Sequence, residues 1–359
     1  MRTHGGIFFA RPRSRVAYPE VIAPMFSPAM SRLSPLSAPL IPLVFIALLI
    51  TAILVSAAPA RSQDAPPGAE PTREAGQAGK AGQPQPAFQG APAASLALSG
   101  FHLFNNAVGD DQGKVSVTQT RADASWSRFS LGWHSNWYSW EDKELLPFGD
   151  GRDAPWDSLH VLTFMVNQRG ILSQRWSYFV QGAIRSGFEK QLSRSVGVAA
   201  NGGLVYAWNE DWTVGIGGFI GADPTTKFAF SSTFAMAGPF IQYRHPRAMG
   251  FSGRLGFPQS ELRYTVNPVW STWLGVGINS DTYRLADDST VMPRGYVRSR
   301  MFSSGIYLDV TPTPGLLLRL GPTYNFNRRL EFYDSGGDKR RSHDLDATLG
   351  FEAKISWSF

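Results

Sequence analysis

The chain has 359 residues and no cysteine. That excludes disulfides, thiolate metal sites, cysteine nucleophiles and a lipidated-cysteine anchor. Charge is scarce as well: 17% of residues are Asp, Glu, Lys or Arg, against ~25% in an average soluble domain. Long apolar runs are nearly absent. The longest, Leu40 to Val55, falls short of the ~20 residues a spanning helix needs, and Pro42 interrupts it. No stretch sustains a 3.6-residue period, which argues against a helical protein. The formal charge of +6 is no nucleic-acid signature. Within residues 1–60, Arg2, Arg11, Arg13, Arg15 and Arg32 are opposed only by Glu20, so the basic surplus sits mostly in a segment expected to be removed.

That segment has three parts. Arg32 precedes the apolar run, and Ser56-Ala57-Ala58-Pro59-Ala60 follows it. Basic flank, apolar core and small residues make residues 1–60 a secretory signal, cleaved after Ala58 or Ala60. A membrane anchor is the alternative. Met25 and Met30 are alternative starts, which would make residues 1–24 an extension outside the signal. Residues 61–94 are rich in Pro, Ala, Gly and Gln, with Phe88 as their single aromatic. They cannot bury enough apolar surface to offset the entropy of ordering, so they read as a disordered periplasmic linker. A Pro-rich peptidoglycan-binding segment is the alternative.

What the chain has in quantity is alternation. From Ser95 onward, period-two patterns recur between Gly, Asp, Asn and Pro clusters. In the last of them, Leu345, Ala347, Leu349, Phe351, Ala353, Ile355, Trp357 and Phe359 share one face and Asp344 to Ser358 alternate on the other. The pattern predicts an all-β, closed antiparallel transmembrane barrel over residues 95–359, apolar outside and polar inside. Short and long connections alternate, as periplasmic turns and external loops do. With both termini periplasmic the parity gives 14 strands, or 12 if the two short strands around Pro258 are only a loop excursion. Trp126, Trp176, Trp208, Trp212, Trp270 and Trp357 cluster near the short turns. Trp137, Trp140, Trp156, Tyr283, Tyr296 and Tyr333 lie near the long loops, so two interfacial aromatic belts are expected. A soluble β-sandwich explains neither the belts nor the loop alternation.

The closing Lys354 to Phe359, KISWSF, resembles the C-terminal targeting signal of Gram-negative outer-membrane barrels, with Phe351, Ile355, Trp357 and Phe359 at the alternate apolar positions. The resemblance implies a cell outer-membrane location. It also implies passage through the secretion and barrel-assembly machinery, and a setting of outer-membrane lipid and lipopolysaccharide. Phe257 to Tyr264, Leu274 to Tyr283 and Gly321 to Arg328 resemble an uncharacterised family of outer-membrane barrels, a domain of unknown function. That family implies fold and location and no activity.

Chemistry is sparse. Outer-membrane phospholipases and lipid A deacylases use a His-x-Ser pair on one strand face, but His134 and Ser135 are adjacent and so point to opposite faces. His102, His160, His245 and His343 show no metal-ligand spacing. Asp110-Asp111 and Asp287-Asp288 read as acidic turns. The expectation is therefore no catalytic, metal or cofactor site and no nucleic-acid partner. The parity turns Arg121, Arg185, Arg244, Arg254, Arg263, Arg319, Arg329 and Lys354 inward, with Glu261, Asp281, Asp309, Glu331, Asp346 and Glu352. These either line a pore for small solutes or pair into a lattice that fills a closed structural barrel. A barrel hydrolase acting on lipid or peptide is the third reading.

Overall fold

A computed structural model describes residues 94–109, 113–225, 234–245, 249–256 and 258–359. The signal and linker segments expected over 1–60 and 61–94 lie outside the described residues except for Ala94, as does Asp110-Asp111. The strands are β1 (Ala94–Ala107), β2 (Lys114–Trp126), β3 (Phe129–Glu141), β4 (Ser158–Ile171), β5 (Trp176–Phe188), β6 (Val196–Ala207), β7 (Trp212–Ala222) and β8 (Phe234–Tyr243). They continue with β9 (Gly250–Gly256), β10 (Gln259–Thr265), β11 (Trp270–Arg284), β12 (Tyr296–Thr313), β13 (Leu316–Tyr333), β14 (Lys339–Leu345) and β15 (Thr348–Ser358).

Each strand from β1 to β13 pairs antiparallel with the next, and β1 closes on β15, Ser95 opposite Ser358. Both β14 and β15 pair with β13, at its two ends, so they are one stave interrupted at Asp346-Ala347. The result is a closed antiparallel barrel of 14 staves. The segments flanking Pro258 are staves in their own right, not an excursion. Alternation puts Leu98, Leu131, Phe164, Ile184, Ile216, Leu255, Leu262, Leu274, Ile306 and Leu349 on the outer wall, all exposed. A wall that bares this much apolar surface is stable only against an apolar surrounding.

The two ends differ. At one, the turns are short, such as Ser127-Arg128 between β2 and β3 and Pro314-Gly315 between β12 and β13. Ser127 (φ 54°) and Gly315 (φ 85°) take the left-handed conformation such tight turns need. Trp126, Trp176, Trp208, Trp212, Trp270 and Trp357 are all exposed around this end and form one belt. At the other end, where the longer loops lie, the expected second belt is not there. Trp137 faces outward, but Trp140, Trp156, Tyr283, Tyr296 and Tyr333 are buried. The 142–157 loop folds into the mouth, so Phe148 and Trp156 pack with Trp140, Tyr283, Leu330 and Phe332 in an apolar core inside the barrel. Trp140 Nε1 donates to the Trp156 carbonyl at 2.8 Å. Rings near a loop end can be buried in a plug as readily as laid on an interface, and composition alone does not separate the two.

The long-loop end is also pinched. Staves β9 and β10 are only 7 residues each, against 18 for β12 and β13. Above them β11 crosses to β5 and pairs in parallel, Arg284 opposite Phe188. A side chain at Gly187 would place its Cβ 2.1 Å from the Thr282 carbonyl, so only glycine permits this approach. Glu189 N donates to the Arg284 carbonyl at 2.9 Å and Glu189 Oε2 accepts from Ala286 N at 2.8 Å. The upper barrel is thus split into a compartment packed with the apolar core and a second one under β6 to β8.

The region after β13 corrects a further expectation. Past a short turn, β14 begins at Lys339 and pairs back onto β13. In the last stave the break at Asp346-Ala347 shifts the phase. Leu345 is buried in the inner core while Leu349, Phe351, Trp357 and Phe359 are exposed outside, so the single apolar face begins only after Ala347.

Candidate functional site: a divided lumen

One side of the lumen is filled. Asp309, 1% exposed, accepts from Arg319 Nε at 2.7 Å on Oδ1 and from Nη2 at 2.8 Å on Oδ2, and Arg263 Nη2 lies 3.2 Å from the same Oδ2. The Arg319 guanidinium lies 4.2 Å from the Trp273 ring centre, and Trp273 stacks on Tyr307 at 4.4 Å. Tyr307 donates to Glu352 at 3.1 Å. Lys354 is the register partner of Arg319 on the same inner face. Arg121 bonds Asp123 at 2.6 Å. Higher up, Asp281 takes Arg185 and Tyr283, with His134 Nε2 at 3.3 Å, and Asn136 donates to Tyr283 Oη at 2.7 Å. Most of the charges on this side are therefore paired within a few ångströms, which weakens their dealings with a solute.

The other side is open. An upper cavity of about 710 Å³ lies under β6 to β8, and a lower one of about 510 Å³ reaches the short-turn end. Both are lined by Phe179, Gln181, Asn201, Phe240 and Arg254, so they meet at one waist. The space comes from sequence. Inward positions on β6 and β7 include Gly197, Ala199, Gly203, Gly215, Gly217 and Gly221, with Gly238 on β8, alongside the larger Asn201, Val205 and Phe219. A Cβ at Gly203 would strike the Phe179 ring at 2.8 Å, and one at Gly215 the Phe240 ring at 2.3 Å. The two rings lie down on glycine backbone, which clears the waist.

The lower cavity is basic. Arg169, Arg175, Arg244 and Arg254 line it with Asn167, Gln168, Gln181, Asn201 and Gln242, and among the described residues no Asp or Glu does. In the upper cavity Arg298 and Arg300 join Arg185 and Arg254. Asp223 there is bound by Arg298 at 3.0 Å and by the Thr282 hydroxyl at 2.8 Å. Burial pushes the Asp223 carboxyl up, but Arg298 and the hydroxyls of Thr225 and Thr282 outweigh it and hold it below the usual carboxylate range.

Several inward expectations need correction. Asn327 takes φ 48°, and there the register jumps from Phe302 opposite Phe326 to Arg300 opposite Arg329. The bulge reverses the alternation, so Arg328, Leu330 and Phe332 turn in and Arg329 and Glu331 turn out. Arg329 bonds Asp344 at the rim, at 2.5 Å. Glu331 is buried on the outer side, with Tyr333 Oη at 2.9 Å and Lys339 at 2.6 Å. Asp346 belongs to neither β14 nor β15; its carbonyl, not its carboxylate, is engaged, by Asn106 and Arg328. Arg244 lines the lower cavity from just beyond the end of β8. Glu261 is inward as the register partner of Arg254, yet no ion pair joins them. The sequence reading missed Arg169, Arg175, Arg298 and Arg300. The first two lie at a strand end and in a turn, where alternation is silent. The other two face the upper cavity from what lower down is the outer face of the barrel.

A cross-strand pair also escaped it. Ser135 Oγ lies 2.6 Å from His160 Nδ1, with Ser158 Oγ 3.2 Å from Nε2, on the outer face. Ser135 has 0% exposure, so its hydroxyl cannot meet a lipid ester, and both ring nitrogens already have hydroxyl partners. Satisfied wall polarity accounts for the cluster. His134 and Asn136 are inward as the alternation requires. Among the described residues no His, Asp and Glu cluster is arranged to hold a metal ion.

No protein-family model matches the chain, and no curated protein does. Among solved structures it is similar to an outer membrane channel from Pseudomonas putida F1, at 12% identity and a TM-score of 0.39, covering 77% of this chain and 99% of that one. It is also similar to the NanC porin, at 12% identity and a TM-score of 0.35, covering 74% and 100%. A third is a deletion mutant of the TodX monoaromatic hydrocarbon channel, at 9% identity and a TM-score of 0.33, covering 75% and 91%.

Proposed function

We propose that the protein is a passive outer-membrane channel for small solutes, with its open path along the β5–β9 side of the barrel. The supporting observation is the pair of cavities meeting at a glycine-cleared waist, beside a half-lumen filled by ion pairs and an apolar plug. Short turns ringed by tryptophans support a periplasmic position for that end, with the plugged end outside. The exposed outward Phe351, Trp357 and Phe359 and the outward Ile355 then face lipid, where they also serve as the targeting signal for barrel assembly. Lipopolysaccharide meets the rim of the long-loop end. A purely structural barrel would have no reason to spend inward positions on glycine and leave arginines facing empty space.

Purified protein in planar bilayers tests this. Discrete conductance steps are expected. Gly217→Trp is expected to remove most of the current, because a Cβ there meets Phe179 at 3.4 Å and points a ring across the waist. Unchanged heat-modifiable gel migration would show that the variant still folds. A folded wild-type barrel that stays silent would contradict the proposal.

A further inference from the structure

The waist is built as a binding site as well as a gap. Arg254 is the one lining residue common to both cavities that carries charge. Its guanidinium carbon stands 4.5 Å from the Phe240 ring centre. Its Nε is buried and has no hydrogen-bond partner. Glu261 is opposite it in register, but no carboxylate among the described residues approaches Arg254 within ion-pair distance. A buried guanidinium donor without an acceptor is costly unless something fills the place. Of the other arginines bordering the upper cavity, Arg185 and Arg298 each have an aspartate, while Arg300 has no ion pair among the described residues.

The surroundings specify more than charge. The Phe179 and Phe240 ring edges come within 3.4 and 3.9 Å of one point above Gly217, so the two rings converge on a floor of glycine backbone. Beside them Asn201 Nδ2 donates to Gln181 Oε1 at 2.5 Å, which fixes both amides on the wall. A cation over one ring, a second ring beside it and a flat floor suit a ligand with a carboxylate at one end and a planar ring at the other. The carboxylate meets the guanidinium edge in the bidentate manner arginine favours, and the ring lies on Phe179. A short carboxylate such as acetate would gain only the first contact, and a neutral ring only the second.

We infer that the waist formed by Arg254, Phe240 and Phe179 is a selective site for small planar-ring carboxylates. This rests on the channel reading for its role in transport, but the site itself can be measured without it. Calorimetric titration of benzoate into the detergent-solubilised full-length protein reads binding whether or not the barrel conducts. Saturable binding in the range of about 0.1–10 mM is expected, the weak affinity a transit site needs in order to release its solute. Acetate and benzamide are each expected to bind about tenfold more weakly, having lost one of the two contacts. Arg254→Gln should weaken benzoate by about tenfold or more. Phe179→Leu should weaken benzoate while leaving acetate unchanged, a difference that general misfolding would not produce. Arg254→Lys keeps the charge but loses the fork, and should weaken acetate and benzoate alike while keeping the preference for benzoate. In bilayers, benzoate should block chloride current with the same order of variants. Benzoate binding that is absent, no tighter than acetate, or indifferent to Arg254→Gln would overturn the site. A silent bilayer with intact benzoate binding would instead overturn the channel and leave the site standing.

Discussion

At the residue scale, the division of the lumen depends on where each carboxylate sits. Asp309 holds two arginines and receives Trp273 Nε1 at 3.3 Å while almost fully buried. Asp309→Ala would strand Arg263 and Arg319, and breaking a buried pair of this kind costs about 3–5 kcal/mol. Urea unfolding in detergent should show a loss of that order. Glu352→Gln, which keeps a partner for Tyr307, should lose far less. Single residues also set the limits of what was legible beforehand. Arg121, Arg254, Arg263, Arg319 and Lys354 turn inward through simple alternation. Arg329 and Glu331 do not, because one left-handed residue, Asn327, reverses the phase above it. An asparagine tolerates that conformation, but nothing in the alternation marks it in advance.

At the element scale, the pinch between β5 and β11 carries the architecture. Alternation shows neither the crossing nor the inward fold of the 142–157 loop, since both depend on contacts between segments about 100 residues apart or more. Gly187 is the sole local trace of the crossing. Trp156, 2% exposed, anchors the plug, and Trp156→Ala should cost about 3–5 kcal/mol, visible as an earlier unfolding midpoint.

The junction also responds to pH in two opposite ways. Burial raises the Glu189 carboxyl above the usual glutamate range, so its contribution to stability is full below that range and declines as pH rises through the raised value. Amide protection at Ala286, whose N–H bonds this carboxyl, should fall between acid and neutral pH after correction for intrinsic exchange. Glu189→Gln should flatten that dependence. Asp223 has the opposite sign. Its lowered carboxyl contributes stability above the usual aspartate range, and that contribution is lost as pH falls through the lowered value. Asp223→Asn should release Arg298 and loosen the upper cavity at neutral pH, while altering little in strong acid.

At the scale of the whole molecule, closure and the 14 staves follow from alternation, turn lengths and parity, all of which are local in the sequence. The two short staves around Pro258 proved to be part of the wall, and their brevity is what lets β11 reach β5. Open space and an ion-pair lattice, alternatives when only composition is known, coexist because the barrel is wide enough to fill one side and leave cavities on the other. Which side stays open is written in inward glycines on β6 and β7, a run that in isolation looks only like weak strand.

The central claim is that this open side, with Arg254 at its waist and Arg169, Arg175 and Arg244 below, is the conducting path. Its most direct test is the zero-current potential of single channels held across a potassium chloride gradient. The account predicts a potential on the chloride side, moving toward potassium in Arg254→Glu and further when Arg175→Glu is added. A cation-selective wild-type channel, or a selectivity that ignores both substitutions, would contradict it.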